Sequence, residues 1–399
     1  MLSFLFLAFV FVASFVVVLS FLVFFHELGH YSVGRFFGTA VERFSIGFGK
    51  PIVKWTAKSG TEWTISRIPL GGYVKFLGDE GAASNPDTER LKEIKSELAE
   101  KGHGEEVSDI FHFKPLWQRA LIVLAGPVAN FILAIFLFAL VAFSFGTNEM
   151  NSVVNNVSSG SAADEAGIEI GDKFLTLDGT DVSLFSDLKA YVAIRSGETL
   201  NAVVERDGRE VNLLITPRRE EQLDPFGGKS KMGLLGISVS RENNFRHIDH
   251  GPISALGNGW DRFSGIMTTT GTYIGRIFVG KEDGSAFGGP LRIAGMTGKS
   301  TVDIVQADIS FGDKLKFVFQ TLLTLTAGIS VGLGVANLMP IPALDGGHLL
   351  YYGYEAVAGR PLSEQKQEYG FRIGLTVILA LFIYFTINDV GWLADVFGN

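Results

Sequence analysis

The chain has 399 residues, 47% of them hydrophobic, and 42 acidic against 34 basic side chains give a formal net charge of −8. That balance argues against nucleic acid as a partner, and the absence of cysteine excludes disulfides and thiolate metal sites. Mean hydropathy is positive at +0.28, but the uneven distribution of the apolar residues decides the fold class.

Residues 2–25 carry no charge. About 20 apolar residues cross the hydrocarbon core of a bilayer, so this run is long enough to span one. No basic residue precedes it, and it ends in chemistry-bearing residues rather than at a small-residue cleavage site. It therefore reads as a retained membrane helix within 1–35, not a signal peptide. Residues 36–117 form a loop region. Within it, 41–77 are rich in Gly, Phe, Trp and Ile and read as hairpin strands, with Lys58-Ser59-Gly60 as one turn and Gly71-Gly72 as another. Residues 86–102 read as a charged surface helix with a narrow apolar stripe at Leu91, Ile94 and Leu98. A second span occupies 118–146, apolar after Arg119.

Residues 147–220 read as a small domain of short strands. An Ala-rich stretch leads to Gly167-Ile168, then Gly171-Asp172, a strand, and a tight turn at Asp178-Gly179. The pattern resembles the permuted PDZ domain of bacterial envelope proteases, which binds an extended peptide or protein C-terminus at a sheet edge. Residues 221–314 do not repeat it, so one PDZ domain is expected, followed by a linker and a membrane-surface segment. Residues 253–279 within that segment suit an amphipathic helix lying on the membrane, with a fifth span as the alternative. A third span with its polar end covers 315–350, a loop 351–370, and a fourth span 371–392, apolar over 371–387.

Lysine and arginine in short loops set orientation. Arg35, Arg43, Lys50, Lys54 and Lys58 follow the first span, Lys114 and Arg119 precede the second, and Arg360 and Lys366 lie between the third and fourth. The tail after the fourth span has two aspartates and no base. Both termini and the long 146–314 segment are thus expected outside the cell membrane, with 31–118 and 343–370 cytoplasmic.

The chemistry begins where the first span ends, in His26-Glu27-Leu28-Gly29-His30. Histidines four apart share a helix face and can share a metal, and the adjacent Glu27 can take a proton from an activated water. Imidazoles and carboxylates at membrane depth are costly unless functional. A catalytic zinc needs a third protein ligand. Asp345 is the best candidate: it follows Asn337, Pro340 and Pro342 at the end of the third span, with Gly346-Gly347 allowing a tight turn. His348 is its rival. The topology above brings both polar clusters to the cytoplasmic side at similar depth.

HELGH at the end of the first span, NLMPIPALDGG at the end of the third and a PDZ-like domain between them together resemble the site-2 protease family of intramembrane zinc metalloproteases. The likeness covers essentially the whole chain and is closest to the regulator-of-sigma-E protease type, although the best-known enterobacterial form has two PDZ domains. AGPVANF, residues 125–131, also resembles the family's second span. The resemblance implies a Zn2+ site of His26, His30 and Asp345, with Glu27 as catalytic base. It implies that Asn337 handles substrate, as does Gly47-Phe48-Gly49 in a membrane-dipping β-hairpin.

The fold expected is therefore a polytopic α-helical membrane protein of about four transmembrane helices. It has a membrane-associated β-hairpin region and an extracytoplasmic PDZ-like β-rich domain. The expected activity is cleavage of single-span membrane proteins, such as anti-sigma factors, after prior removal of their external domain, in a bacterial inner membrane whose lipid bilayer is the other partner. The alternative is a non-catalytic PDZ-bearing scaffold with a structural metal, but a structural site has no need of Glu27. A metal transporter fits poorly, because one carboxylate and one histidine pair do not mark a translocation path.

Overall fold

The computed structural model describes residues 2–79, 91, 93–94, 96, 109–223, 229–240, 244–282, 284 and 287–397. The charged helix expected over 86–102 falls outside them, apart from helical positions 91, 93, 94 and 96. In chain order, α1 (Leu2–Phe36) is followed by β1 (Val41–Thr56), β2 (Glu62–Phe76), a 3-10 turn at Phe111–Phe113, and α2 (Leu116–Phe145). Short elements come next: β3 (Thr147–Met150), β4 (Asn156–Val157), α3 (Ala162–Glu165), β5 (Lys173–Leu177), β6 (Thr180–Asp181) and α4 (Phe185–Ala193). They continue with β7 (Leu200–Arg206), β8 (Arg209–Ile215), β9 (Arg218–Leu223), β10 (Lys229–Leu234), β11 (Ile237–Ser238) and β12 (Phe245–Ile248). The chain finishes in α5 (Pro252–Phe278), α6 (Pro290–Gln306), α7 (Phe311–Asn337), α8 (Asp345–Ala358) and α9 (Glu364–Phe397).

Among the described residues, four segments are long and apolar enough to cross a membrane: Phe9–Phe36 of α1, all of α2, all of α7, and Gln365–Val396 of α9. Each expected span overlaps one of them, but α7 ends at Asn337, and residues 338–350 of the expected third span form a loop and the start of α8. Helix α5 has 27 residues but is not among the four, because charged and small polar residues interrupt its apolar side. Helix α7 starts where Ser310 accepts from the Asp313 N–H and donates to the Asp313 carboxylate, a reciprocal cap that satisfies an otherwise unpaired first-turn amide. It ends at Asn337, just ahead of Pro340 and Pro342, which cannot continue it.

The described chain divides into two compact units: 1–137 with 293–384, and 138–292 with 385–399. In the first, β1 and β2 form a folded hairpin rather than a simple one. Arg43, Phe44, Ser45 and Ile46 each face two partners, Glu62 to Ile65 on one side and Gly72 to Lys75 on the other. Residues 43–46 therefore lie between the two halves of β2, and Gly47, Gly49 and Gly71 within the two strands all have positive φ. The expected turn at Lys58-Ser59-Gly60 is present, closed by Gly60 N–H to the Ala57 carbonyl. Gly71-Gly72 is not a turn. The pair lies inside β2, where a Cβ on Gly72 would come within 2.6 Å of the Ser45 carbonyl and 2.7 Å of Val23. Val41, Phe44, Val74 and Phe76 pack with Ile122 and Val123 of α2 in one buried cluster, and Phe24, Leu28 and Tyr31 of α1 lie against it. Phe44 stacks on Trp63 at 4.2 Å.

In the second unit, β6, β5, β7 and β8 form a four-stranded antiparallel sheet in that order. Leu200, Ala202 and Val204 alternate inward along β7 and meet Phe174, Leu177, Leu188 and Ile215 in the core. Asp178 and Gly179, at φ 48° and 79°, make the tight turn between β5 and β6. Strands beyond residue 220 join the same body: β11 pairs with β4, and β12 with β3. Asp172 is buried, accepting from the Glu169 N–H and from two nitrogens of Arg206 at 2.7 Å each.

Candidate active site

His26 and His30 sit one turn apart on α1, with their Nε2 atoms 3.3 Å apart. Their positions depend on how closely α2 approaches. A Cβ on Gly29 would lie 2.8 Å from Ala129 Cβ, and a Cβ on Gly126 would lie 2.5 Å from His30 Cε1 and 2.9 Å from His26 Cε1. Glycine at both places lets the two helices close and leaves room for the rings. The far side of each ring also meets α2. His30 Nδ1 lies 2.9 Å from the Ile122 carbonyl oxygen, and His26 Nδ1 lies 3.1 Å from the Asn130 carboxamide.

Asp345, the first residue of α8, brings the third donor. Its Oδ2 lies 3.3 Å from His26 Nε2 and 3.6 Å from His30 Nε2. Donors bound tetrahedrally to one zinc at ~2.0–2.1 Å stand ~3.3–3.4 Å apart, so the three observed separations suit that ion. The chemistry agrees: Oδ2 is buried without a hydrogen-bond partner, an arrangement that costs free energy unless a cation balances it. These residues fit a zinc. The fold brings Asp345 rather than His348 into the donor group; His348 lines the same cavity three residues on.

Gly346 and Gly347 are not the tight turn that their type suggests, since neither has a positive φ. They form the first turn of α8 and lie against the loop that leaves α7. A Cβ on Gly347 would sit 2.5 Å from the Ile341 carbonyl oxygen. The strain lies one step earlier, at Ala343 with φ 91°, a conformation that L residues adopt only when their surroundings impose it.

Glu27 faces the same cavity, together with Asn337, Gly72, Tyr73 and Val74. A Cβ on Gly72 would lie 3.3 Å from Glu27 Cγ, so β2 runs tightly beside that carboxylate. The Asn337 amide nitrogen is 3.4 Å from His26 Nε2. His26, Glu27, His30, Asn337 and Asp345 are thus brought together. Gly47, Phe48 and Gly49 do not line the cavity; Phe48 reaches it indirectly by stacking on Tyr73 at 6.1 Å. Close to β2, the Asp79 carboxylate accepts from the Phe76 N–H and lies 2.7 Å from His112 Nε2. Burial pushes that carboxyl up, against the opposing pull of His112.

Sequence reading passed over Ile122, and it met Gly126 and Asn130 only within AGPVANF, without giving either a role. A signal did exist for Asn130: within 119–145 it is the one amide side chain in an otherwise apolar run. A backbone carbonyl and a glycine at a helix crossing have no comparable mark.

This arrangement offers three metal donors on one side of a cavity and a carboxylate beside them, which is a hydrolytic constellation. The comparisons with known proteins agree. The profile of peptidase family M50 matches residues 14–381. A relative from Agrobacterium fabrum (strain C58), named as a zinc metalloprotease, is 42% identical over 381 residues, covering 95% of each chain. Metalloprotease MmpA of Caulobacter vibrioides is 41% identical over 377 residues, covering 94% of each. The enzyme is an integral membrane protein that uses Zn2+. With its family profile matched over nearly its whole length, the chain belongs to peptidase family M50, the zinc metalloproteases of site-2 protease type.

Proposed function

We propose that this metalloprotease is an intramembrane endopeptidase that cuts within the transmembrane segments of single-span proteins. One observation carries the reading: His26 and Glu27 lie inside a helix apolar enough to cross a bilayer, and Asp345 comes eight residues after the end of a second such helix. A hydrolytic site built at that depth suits a peptide bond that is itself at membrane depth. His26, His30 and Asp345 would hold the zinc, which when bound polarises the scissile carbonyl and acidifies a water. Glu27 takes the proton from the attacking water and delivers it to the leaving nitrogen. Asn337, with its amide at the mouth of the donor group, offers hydrogen bonds to a substrate backbone.

A transmembrane helix keeps its amides paired and its carbonyls shielded, so the substrate must be unwound before attack. Strand 72–76 runs along the cavity and can hold an extended segment by β-pairing. The bend at Gly47-Phe48-Gly49 keeps that half of β2 in place through the Phe48–Tyr73 stack. Ile52, Val53, Trp55 and Ile68 leave an exposed apolar surface on the folded hairpin, which suits a membrane-associated element. The β-domain begun at residue 147 is read as a PDZ domain outside the cell membrane, and α5 as a helix on the membrane surface. A bulky external domain would be turned away there, so substrates such as membrane-bound anti-sigma factors would be cut only after losing theirs. The distribution of basic residues supports a bacterial inner-membrane orientation with both termini outside and the site near the cytoplasmic face.

The test is Glu27→Gln in the full-length enzyme. It is expected to bind zinc and fold like the parent, to leave a model transmembrane substrate uncut, and to co-purify with intact single-span proteins. Cleavage at the parental rate would remove Glu27 as the base. Capture of only soluble proteins would reject the membrane substrate class.

A further inference from the structure

The metal-facing nitrogen of each histidine is Nε2, so the state of the opposite nitrogen, Nδ1, decides whether the ring can bind a metal at all. A neutral imidazole carries one proton; if that proton is on Nε2, the metal-facing lone pair is lost. His30 is secured by the backbone. Its Nδ1 lies 2.9 Å from the Ile122 carbonyl oxygen, which can only accept, so the proton stays on Nδ1 and Nε2 is free. For His26 the corresponding partner is a side chain, Asn130.

Asn130 is fully buried, eight residues beyond Ile122 on α2, and Gly126 lies midway between them. Ile122 and Asn130 therefore stand two turns apart on one face of α2, with Gly126 between them where the rings of His26 and His30 must fit. Ser330 of α7 donates to the Asn130 backbone carbonyl at 2.8 Å, which holds this turn of α2. The carboxamide places Nδ2 3.1 Å from His26 Nδ1 and leaves Oδ1 buried without a partner. A donor at that place would draw the proton to Nε2 and spoil the metal-facing lone pair. The two ends of a carboxamide are nearly isosteric, so a half-turn about its last bond exchanges them at no steric cost. It sets the idle acceptor against Nδ1–H.

We propose that Asn130 is the positioning residue of His26. Its side-chain oxygen accepts from Nδ1–H, fixes the tautomer and ring orientation, and leaves Nε2 available to the metal, as the Ile122 carbonyl does for His30. This rests on the reading of His26, His30 and Asp345 as the zinc donors. The outer partner of a metal-binding histidine typically contributes about 10–100-fold in metal affinity.

The experiment compares full-length parent, Asn130→Leu, Asn130→Asp and His26→Ala, with zinc affinity read by chelator competition and the cobalt-substituted proteins read by visible absorption. Leucine matches the shape without an acceptor, whereas aspartate has acceptors only. Asn130→Leu is expected to bind zinc about 10–100-fold more weakly and to shift the cobalt spectrum. Asn130→Asp is expected to keep both near the parental values, while a helix-packing role alone would be served as well by leucine. Parental zinc affinity in Asn130→Leu overturns the proposal, and so does an Asn130→Asp protein as weak as the leucine variant. If Asn130→Leu does not fold, as judged by melting of the metal-free proteins, the aspartate variant and its cobalt spectrum decide alone. His26→Ala separates the two levels. If it retains parental zinc affinity, the donor assignment fails and the Asn130 role falls with it; if only His26→Ala loses zinc, the Asn130 proposal alone is rejected.

Discussion

Gly126→Ala tests how much the site depends on the close approach of α1 and α2. The added Cβ would lie 2.5 Å from His30 Cε1 and 2.9 Å from His26 Cε1, with His30 Nε2 nearer still. Non-bonded heavy atoms settle near ~3.5 Å, so the His30 ring must retreat by roughly 1 Å. It cannot turn away freely, because Nδ1 is held to the Ile122 carbonyl on the same helix that carries the new methyl group. Zinc–ligand distances tolerate only about ±0.2 Å, and a misplacement of ~1 Å at a reacting centre can cost ~100-fold in rate. Alanine is also the better helix former by about 1 kcal/mol, which helps to separate a loss of site geometry from a loss of fold. The expected result is kcat/KM on a model transmembrane substrate reduced by about 100-fold or more and weakened zinc binding, with undiminished helical circular dichroism. Parental activity and zinc affinity together would refute the steric reasoning. Normal zinc binding with lost activity would place the effect on the substrate instead.

Three further outcomes follow from particular contacts. Gly347→Ala should lower activity through the Asp345 donor, since its Cβ would come 2.5 Å from the Ile341 carbonyl oxygen; a zinc titration indistinguishable from the parent contradicts this. Removing zinc with a chelator should abolish cleavage reversibly and lower the melting temperature, because an ion held by His26, His30 and Asp345 binds the folded chain and stabilises it by mass action; an unchanged melt contradicts it. Arg206→Ala should destabilise the β-domain by ~3 kcal/mol, the order expected when a buried carboxylate loses its partner, as measured by hydrogen exchange in β5 and β7. Burial alone would raise the Asp172 carboxyl, but the Arg206 bonds and the Glu169 N–H outweigh it and hold the group below the usual carboxylate range. Its contribution is complete above the unfolded value of ~3.9 and is lost as pH falls through the lower folded value. The stability deficit of Arg206→Ala should therefore shrink on acidification below about pH 4; a deficit that stays constant would contradict this assignment.

The four spans were legible because a long apolar run has few other uses, and the HELGH and LDGG segments were legible because polar groups stand out against such runs. Spacing placed His26 and His30 on one helix face and an isolated carboxylate favoured Asp345 over His348; the folded chain adds the grouping of Asp345 with the two histidines, which spacing does not give because both candidates follow the same prolines. The folded hairpin was half legible. Its strands and the Lys58–Gly60 turn follow from composition, yet a segment paired on both sides, as 43–46 is, looks the same in sequence as one paired once. Gly71-Gly72 misled for a related reason: glycine is used both where the chain turns and where another backbone or side chain comes close, and here the second use applies. Strands β11 and β12, of two and four residues, are too short to display a period of two. Gly126 lies inside an apolar helix, where nothing in its neighbours announces that two rings occupy the space a side chain would take.

Both imidazoles are tied at the back to α2, one through a carbonyl and one through an amide, and two glycines let that helix press against α1. The pair therefore acts as a stator: α1 and α2 cannot part without breaking the site they build. Within the same unit α9 contrasts with them, because very few of residues 365–384 are buried whereas buried residues recur along α2. Admission of a substrate from the lipid should accordingly cost little rearrangement on the α9 side and much at the α1–α2 seam. The metal centre itself would then be a stationary part of the cycle.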